Sequence, residues 1–330
     1  LPAGCEVLTL GAPYEDRLAR AASTPPAATP PEWATFAIPY TSGTTGRPKG
    51  VCLSHRSRVF AFGVFASVYG CFGEGDRFLV TTPLFHGGGF AYPMATLWLG
   101  GEVELMPAFS PEGLLRHMGE GAHTGTFVVP TQFHAMFAQE PGVLELMGRN
   151  RFKSVICNAA PLPEETKLEA LDRLGEGVLH ETYGSTEAGV VTNLAPADMR
   201  RKRNCAGRPI AGQFVRLLDE AGAEVAPGET GELFSNGPTL FNGYWNREEE
   251  TAASFRDGWF SAGDLARADD EGFLHIVDRK KDMILSGGVN IYPRDVEETL
   301  FAHPAVAEAA VVGVPDARWG EAVHAFLRLA

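Results

Sequence analysis

The sequence lacks an excess of basic residues. Lys and Arg total 28 against 41 Asp and Glu, so the formal net charge is −13. A protein that binds nucleic acid needs a basic surface to neutralise phosphates, and a polybasic membrane anchor needs the same charge. The composition therefore argues against a nucleic-acid partner and against electrostatic attachment to an anionic membrane.

Long apolar segments and paired cysteines are also missing. The uncharged stretch Val59–Gly73 is shorter than the ~20 apolar residues that span a bilayer. It contains Gly, Ser and Tyr, so we predict a buried helix and no integral membrane segment. The five cysteines are scattered and include no C-x-x-C pair. Their odd number predicts reduced thiols and a cytoplasmic protein.

Two neighbouring stretches near the start differ in character. Residues 21–32 hold four prolines and few bulky side chains, which predicts a linker or surface loop. Residues 34–40 form a short apolar run, which predicts a buried strand.

The following region alternates between strand and helix patterns. Short apolar runs lie at 78–80 and 126–129, and helical patterns lie at 55–70 and 163–174. The last of these begins with Pro, carries acids in its first turn and is followed by Gly175. Such alternation predicts an α/β fold with a mainly parallel sheet layered with helices.

The pattern changes near Cys205. The runs 214–218 and 231–234 flank turn residues, and 259–277 repeats this pattern around Asp269–Gly272, which predicts hairpins. After Asp278 a helix at 293–301 and a strand at 309–314 are expected. We therefore predict an α/β part at 1–204, a β-rich subdomain at 205–277, and a hinge with a small α+β domain at 278–330.

Residues 40–50, YTSGTTGRPKG, carry the strongest chemical signal. Hydroxyl side chains, glycines and one lysine are concentrated there, and together they suit a cradle for a polyphosphate. The segment is not a Walker loop, because Arg47 and Pro48 separate Gly46 from Lys49 and no Ser or Thr follows the lysine. A P-loop kinase or ATPase is thereby disfavoured, and a flexible surface turn is the plain alternative.

This segment resembles the phosphate loop of the adenylate-forming (acyl-CoA synthetase, AMP-binding) superfamily. Residues 181–189, ETYGSTEAG, match the Y-G-x-T-E element of that superfamily. The resemblance implies that Tyr183 stacks near adenine, Thr186 contacts the α-phosphate and Glu187 holds Mg²⁺. It also implies Thr45 as a second metal ligand.

Further elements follow in the superfamily's order. Residues 258–264 resemble G-W-x-x-[ST]-G-D, and the resemblance implies that Asp264 binds the ribose. Residues 278–282, DRKKD, resemble the hinge between the large and small domains, with Arg279 reaching ribose and phosphate and Lys281 at the hinge. The pair Gly287–Gly288 resembles the loop that lines the pantetheine channel of coenzyme A.

Two segments are expected to shape the acyl pocket. Residues 83–90, PLFHGGGF, resemble the gate segment, which implies that His86 lies beside the carboxylate or its tunnel. A hydrogen-bonded core histidine is an equal alternative. Asn158 and Ala159 replace both glycines of the G-G-A-P-L element that flanks adenine, so backbone approach to the base is expected to be altered.

The implied catalytic residues are Lys49, His86, Thr186, Glu187 and Lys281. The residues implied to bind nucleotide or coenzyme A are Thr41, Ser42, Gly43, Thr44, Thr45, Gly46, Lys49, Ala159, Ala160, Pro161, Thr182, Tyr183, Gly184, Thr186, Asp264, Ile276, Arg279, Gly287 and Gly288.

The resemblance implies ATP- and Mg²⁺-dependent activation of a carboxylic acid to an acyl-adenylate, followed by transfer to coenzyme A. The gate segment has no acidic residue to pair with a substrate ammonium, so an uncharged fatty or aryl acid is expected. The glycines Gly87–Gly89 are expected to leave volume for a medium or long chain. An acyl-carrier protein as acceptor and a non-catalytic nucleotide-binding module remain alternatives.

The resemblance also implies missing parts. Members carry more residues before the phosphate loop and end with a P-x-T-x-x-G-K element that supplies an adenylation lysine. The sequence from Leu1 to Ala330 lacks both those additional residues and the P-x-T-x-x-G-K element. We therefore expect an internal fragment of a longer synthetase, with severely impaired adenylation.

Overall fold

The structure is a computed structural model that describes residues 4, 6–25, 29–41, 48–301, 303, 305–316 and 318–329. Its α-helices are α1 (Ala12–Arg20), α2 (His55–Tyr69), α3 (Gly87–Trp98), α4 (Pro111–Glu120), α5 (Pro130–Phe137), α6 (Pro141–Leu144), α7 (Glu164–Leu174), α8 (Glu248–Ala253) and α9 (Pro293–Phe301). Among the described residues, no helix has the length and apolar character needed to cross a membrane.

The first ten strands are β1 (Thr35–Ala37), β2 (Tyr40–Thr41), β3 (Lys49–Ser54), β4 (Arg77–Val80), β5 (Glu102–Leu105), β6 (Gly125–Val128), β7 (Ser154–Cys157), β8 (Leu179–Ser185), β9 (Gly189–Leu194) and β10 (Arg208–Pro209). The remaining strands are β11 (Phe214–Leu218), β12 (Gly231–Asn236), β13 (Gly243–Tyr244), β14 (Phe255–Arg256), β15 (Trp259–Ala268), β16 (Leu274–Arg279), β17 (Ile284–Ser286), β18 (Val289–Ile291), β19 (Val306–Asp316) and β20 (Gly320–Leu329).

The largest sheet has the strand order β10-β9-β8-β7-β6-β4-β5. The strands from β5 to β8 run parallel, and β9 and β10 are antiparallel additions at one edge. Helices α2 and α3 contribute to one hydrophobic cluster, and α4, α5 and α7 contribute to another. Parallel strands need both faces covered, and β7 is buried along its whole length. The predicted mainly parallel sheet layered with helices is confirmed.

Local sequence signals set the ends of two of the predicted helices. In α2 the Ser54 side chain accepts a hydrogen bond from the Ser57 backbone N–H at 3.1 Å, and Gly70 ends the helix with φ of 62°. In α7 the terminating Gly175 has φ of 83°. Both helices lie where the pattern predicted them.

The prediction of a buried strand at 34–40 is wrong. This segment forms the separate short strands β1 and β2, which are half-buried or exposed and pair antiparallel with β3. Pro39 has no backbone N–H and interrupts the run, although its carbonyl still accepts from Val51 N at 2.8 Å. The buried member of this small sheet is β3, which also pairs with β13.

The β-rich region contains the expected hairpins. Strand β11 pairs antiparallel with β12, and β15 pairs antiparallel with β16 across the predicted turn at Asp269–Gly272. The described residues of 21–32 form no helix or strand, as expected of a surface loop.

The last part of the chain forms the sheet β18-β17-β20-β19 and helix α9. Helix α9 lies at the predicted residues, and the predicted strand at 309–314 lies within the longer β19. The three-part domain division stays a prediction. Strand β10, which follows the proposed boundary at 204, still pairs with β9 of the large sheet.

Candidate active site

The hairpin formed by β8 and β9 is the centre of the candidate site. Gly184 lies opposite Val190, and a Cβ atom at position 184 would lie 2.0 Å from the Gly189 carbonyl oxygen. Only glycine therefore fits there without a backbone shift. This close approach fixes the turn that presents Ser185, Thr186 and Glu187.

Two cavities of similar size meet at this hairpin. One has a volume of about 830 Å³ and a mainly apolar lining, and the other has a volume of about 850 Å³ and a charged lining. We call them the apolar cavity and the polar cavity. The residues that line both are Thr41, Gly184, Ser185 and Thr186.

In the polar cavity, contacts connect Glu187, Tyr244, Lys49 and Glu250. The Tyr244 hydroxyl donates to Glu187 Oε1 at 2.8 Å. Lys49 Nζ lies 4.9 Å from the centre of the Tyr244 ring and 2.9 Å from Glu250 Oε2. The Lys49 ammonium lowers the pKa of the Glu250 carboxyl. Burial, followed by the charge of Glu187, raises the pKa of Tyr244, so this phenol stays a neutral donor.

Asp264 follows Gly263, a lining residue of the polar cavity, and is held by two partners. Tyr183 Oη donates to Asp264 Oδ2 at 2.5 Å, and Arg279 Nε lies 3.6 Å from Oδ1. Asp264 and Arg279 are opposite each other in the β15–β16 pair. Burial raises the pKa of Tyr183 well above its usual value. The carboxylate is therefore fixed by a neutral donor on one side and a cation on the other.

The donor set of the polar cavity suits a polyphosphate with a hard divalent cation. Glu187 offers a carboxylate oxygen, and Thr41 and Thr186 are hydroxyl residues in the same lining. Lys49 and Arg279 bring positive charge to this lining. The residues present thus fit Mg²⁺ and phosphate.

His86 lies at the other cavity. It occupies the position before α3, lines the apolar cavity, and its ring stacks on Phe127 with centroids 6.3 Å apart. This location is compatible with the expected gate, and its role stays a prediction.

The three glycines after His86 have different surroundings. A Cβ at Gly87 would lie 3.9 Å from Thr186 Oγ1, so only ordinary contact limits this position. At Gly88 a Cβ would lie 2.5 Å from the Phe127 ring, and at Gly89 it would lie 2.2 Å from the Pro83 carbonyl oxygen. The expectation that all three glycines leave volume is therefore wrong, since two of them are required by close packing.

The segment after β7 keeps a glycine-like backbone. Ala159 has φ of 78°, a left-handed conformation that favours glycine, and its N–H donates to Asn158 Oδ1 at 2.5 Å. Both residues line the apolar cavity. The expected change in the approach of this backbone to the base stays a prediction.

Several residues of the predicted site line neither cavity. Thr182 is buried within β8, the Ile276 carbonyl accepts from Arg294 Nη1 at 3.1 Å, and Lys281 is exposed. The Gly287 N–H donates to the Trp319 carbonyl at 2.7 Å in the β17–β18 turn. The predicted residues outside both linings are Ala160, Pro161, Thr182, Tyr183, Asp264, Ile276, Lys281, Gly287 and Gly288. The predicted residues Ser42, Gly43, Thr44, Thr45 and Gly46 lie outside the described part of the chain.

Tyr244, Glu250 and Arg58 are not among the site residues predicted from the sequence. Strand β13 pairs with β3, which brings Tyr244 opposite Val51, next to the end of the phosphate segment. Glu250 belongs to a run of acids that is typical of a solvated helix start. Arg58 lines the apolar cavity although it lies in a pattern that only predicted a helix.

Comparison with known proteins gives the family. The sequence profile described as "AMP-binding enzyme" matches residues 5–245, and the profile described as "AMP-binding enzyme C-terminal domain" matches residues 295–330. The chain belongs to the AMP-binding enzyme family. The resemblance inferred from the sequence motifs is confirmed.

Named relatives agree with this placement. A medium/long-chain-fatty-acid–CoA ligase of Mycobacterium tuberculosis is 40% identical over 294 residues, which are 88% of this chain and 51% of the relative. A feruloyl-CoA synthase of an Amycolatopsis species is 41% identical over 86% of this chain and 57% of its own length. The chain thus spans about half the length of these curated relatives.

A solved structure extends the comparison to the fold. The o-succinylbenzoate coenzyme A synthetase of Bacillus subtilis, in complex with ATP and magnesium ion, has a TM-score of 0.82 and 33% identity. The match covers 95% of this chain and 64% of the solved chain.

Proposed function

We propose that this chain carries the acid- and nucleotide-binding parts of an AMP-forming acid–thiol ligase. The observation that carries the proposal is the junction of the two cavities at Thr186. An apolar cavity suits the hydrocarbon part of a carboxylic acid, and a charged cavity suits a nucleoside triphosphate. A hydroxyl at their junction is the group expected where carboxylate and α-phosphate react.

The first step joins two anions, so its barrier is mainly electrostatic. A carboxylate oxygen attacks the α-phosphorus of ATP, the bond to the β-phosphate oxygen breaks, and pyrophosphate leaves. We assign Thr186 as a donor to the α-phosphate. Lys49 and Glu250 both line the polar cavity. A phosphate oxygen bound there would replace Glu250 as the partner of the Lys49 ammonium.

We assign Glu187 as the magnesium ligand among the described residues. The ion supplies neutralisation of phosphate charge when bound. The Tyr244 hydroxyl orients the Glu187 carboxylate through Oε1, which leaves Oε2 for a ligand. Asp264, fixed by Tyr183 and Arg279, would accept hydrogen bonds from the ribose hydroxyls.

In the second step a thiolate attacks the acyl carbon and AMP leaves with the bonding electron pair. The CoA ligase activity of the curated relatives supports coenzyme A rather than an acyl-carrier protein as the thiol. Rotation of the C-terminal part about residues 278–282 would bring Gly287 and Gly288 to the thiol.

The acids named for the relatives support a fatty or aryl acid. The four cysteines in the described part of the chain, such as Cys157, are buried free thiols, and they support a reducing, cytoplasmic setting.

Titration calorimetry of this chain with MgATP tests the proposal. We expect Glu187→Gln to weaken MgATP binding at least about tenfold, because it removes a charged ligand of the metal without changing side-chain volume. Glu220→Gln, at an exposed turn, is the control and should bind like wild type. Equal MgATP affinity of wild type and Glu187→Gln, or no binding to the wild type, would overturn the assignment.

A further inference from the structure

Arg58 is an unusual residue for the wall of an apolar cavity. It lies on α2, lines the apolar cavity and is only 6% exposed. Arg56, two residues earlier on the same helix, has its side chain 34% exposed and pairs with Glu32 at 3.3 Å. The two arginines therefore face different environments although they are neighbours in sequence.

The Arg58 guanidinium has few partners. Nη2 donates to the Thr239 carbonyl at 3.2 Å, and Nε is buried with no hydrogen-bond partner in the described part of the chain. No carboxylate of a described residue lies within ion-pair distance of it. Burial lowers the pKa of Arg58 to about 10, so the group remains a cation at neutral pH.

A buried cation without an anionic partner destabilises the protein unless a ligand compensates it. Native proteins rarely leave buried donors unpaired, and functional sites are where such groups are found. An aliphatic residue at position 58 would close this wall of the apolar cavity without the free-energy cost of burying a charge. The hydrogen bond to the Thr239 carbonyl occupies one N–H donor of Arg58 and does not neutralise its positive charge.

The position of Arg58 is close to the reaction centre. Its Nη2 lies 3.9 Å from where a Cβ of Gly189 would be, and Gly189 is opposite Ser185 in the β8–β9 hairpin. Thr186 follows Ser185 directly. An acid whose reacting carboxylate lies at Thr186 can thus extend toward Arg58 within the same cavity.

We propose that Arg58 is a specificity-determining residue that binds a second carboxylate of the acid substrate. The preferred substrate class is then a dicarboxylic acid, one carboxylate of which reacts while the other pairs with Arg58. This inference rests on the proposed function, because it takes the apolar cavity to be the acid site. It departs from the expected uncharged acyl group, because the second carboxylate of a dicarboxylic acid is charged at neutral pH.

The test measures binding of matched acids to the full chain by calorimetry in the presence of a non-hydrolysable MgATP analogue. Straight-chain diacids of four to ten carbons are each compared with the monoacid of equal length. We expect at least one diacid to bind wild type at least about tenfold tighter than its monoacid, the size of a charge-assisted hydrogen bond. Arg58→Met should abolish that preference while retaining monoacid binding, and Arg56→Met should keep it.

Three results separate the possibilities. If the MgATP analogue binds but no diacid exceeds its monoacid in wild type, the inference is overturned and the proposed function stands. If Arg58→Met lowers the affinity for diacid and monoacid equally, Arg58 has a structural role and the inference is again overturned. If no nucleotide binds, the proposed function itself fails. The wild-type comparison decides even where Arg58→Met does not fold, and Arg58→Lys, which keeps the charge, should retain part of the preference.

Discussion

The two cavities differ in how their charges are balanced. The polar cavity contains paired opposite charges, namely Lys49 with Glu250 at 2.9 Å and Lys280 with Glu232 at 2.9 Å. The apolar cavity is almost equal in volume. Among the described residues that line it, Arg58 is the only one with a permanent charge. Exchangeable ion pairs suit a ligand that brings several charges, whereas one isolated cation suits a ligand that brings one. The shared hairpin then joins two sites of different chemistry.

The largest effect should come from a change that damages both cavities. Gly184→Ala would place a methyl group 2.0 Å from the Gly189 carbonyl oxygen. We expect a loss of about 3 kcal/mol in unfolding free energy, because a backbone contact cannot move aside as a flexible side chain does. Both nucleotide and acid binding should weaken. Chemical denaturation and calorimetry measure these effects.

Gly63→Ala is the matched control. Gly63 lies inside α2, and a Cβ there would meet no atom within 4 Å. This change should stabilise the protein by roughly 0.5–1 kcal/mol, since alanine is a better helix former. A Gly184→Ala variant as stable as wild type would contradict the close approach that defines the hairpin.

Two carboxylates that lie six residues apart have different surroundings. Glu187 faces the polar cavity, whereas Glu181 on β8 lines neither cavity and lies 3.9 Å from the buried Lys167. Lys167 is bound more closely by Glu164, at 2.7 Å. Burial raises the pKa of Glu181 from 4.5 to about 7, and Lys167 only partly opposes this effect.

The folded protein therefore binds a proton at Glu181 more tightly than the unfolded chain does. Its stability should fall as the pH rises from about 4.5 to 7, and the loss should be complete above pH 7. Glu181→Gln removes this titration, so we expect the variant to be more stable than wild type by about 3 kcal/mol at pH 8 and by much less at pH 5. Urea denaturation at the two pH values measures the difference. A variant less stable than wild type at pH 8 would show that the Glu181 carboxylate is needed by Lys167.

The smallest effect concerns the wall of the apolar cavity. Ala159 holds φ of 78°, so Ala159→Gly should relieve backbone strain. Because glycine also gains entropy in the unfolded chain, we expect a net stabilisation of only about 0.5 kcal/mol. The neighbouring Ala160→Gly, at a residue without positive φ, should destabilise instead. Equal effects at the two positions in thermal denaturation would refute strain at Ala159.

Local patterns in the sequence indicated part of the candidate site. Thr186 and Glu187 lie in the tight turn after Gly184, a glycine that backbone contact requires, and such turns leave a short, recognisable motif. The ends of α2 were predictable because the Ser54 cap and Gly70 act within one helical turn.

Contacts between distant segments were not predictable. Tyr244 reaches Glu187 because β13 pairs with β3, and nothing near residue 244 in the sequence reports that pairing. Arg58 is buried because α2 turns this position toward the cavity and Thr239, while Arg56 stays at the surface. Gly88 and Gly89 were expected to leave volume in the pocket. The groups packed against them, the Phe127 ring and the Pro83 carbonyl, leave no room for a Cβ there.

The most direct test of the central claim is a crystal structure of this chain with AMP and a carboxylic acid. We expect the phosphate beside the Thr186 hydroxyl, the ribose against Asp264, and the acid in the cavity that contains Arg58. A nucleotide bound in the apolar cavity, or far from both Thr186 and Asp264, would contradict this expectation.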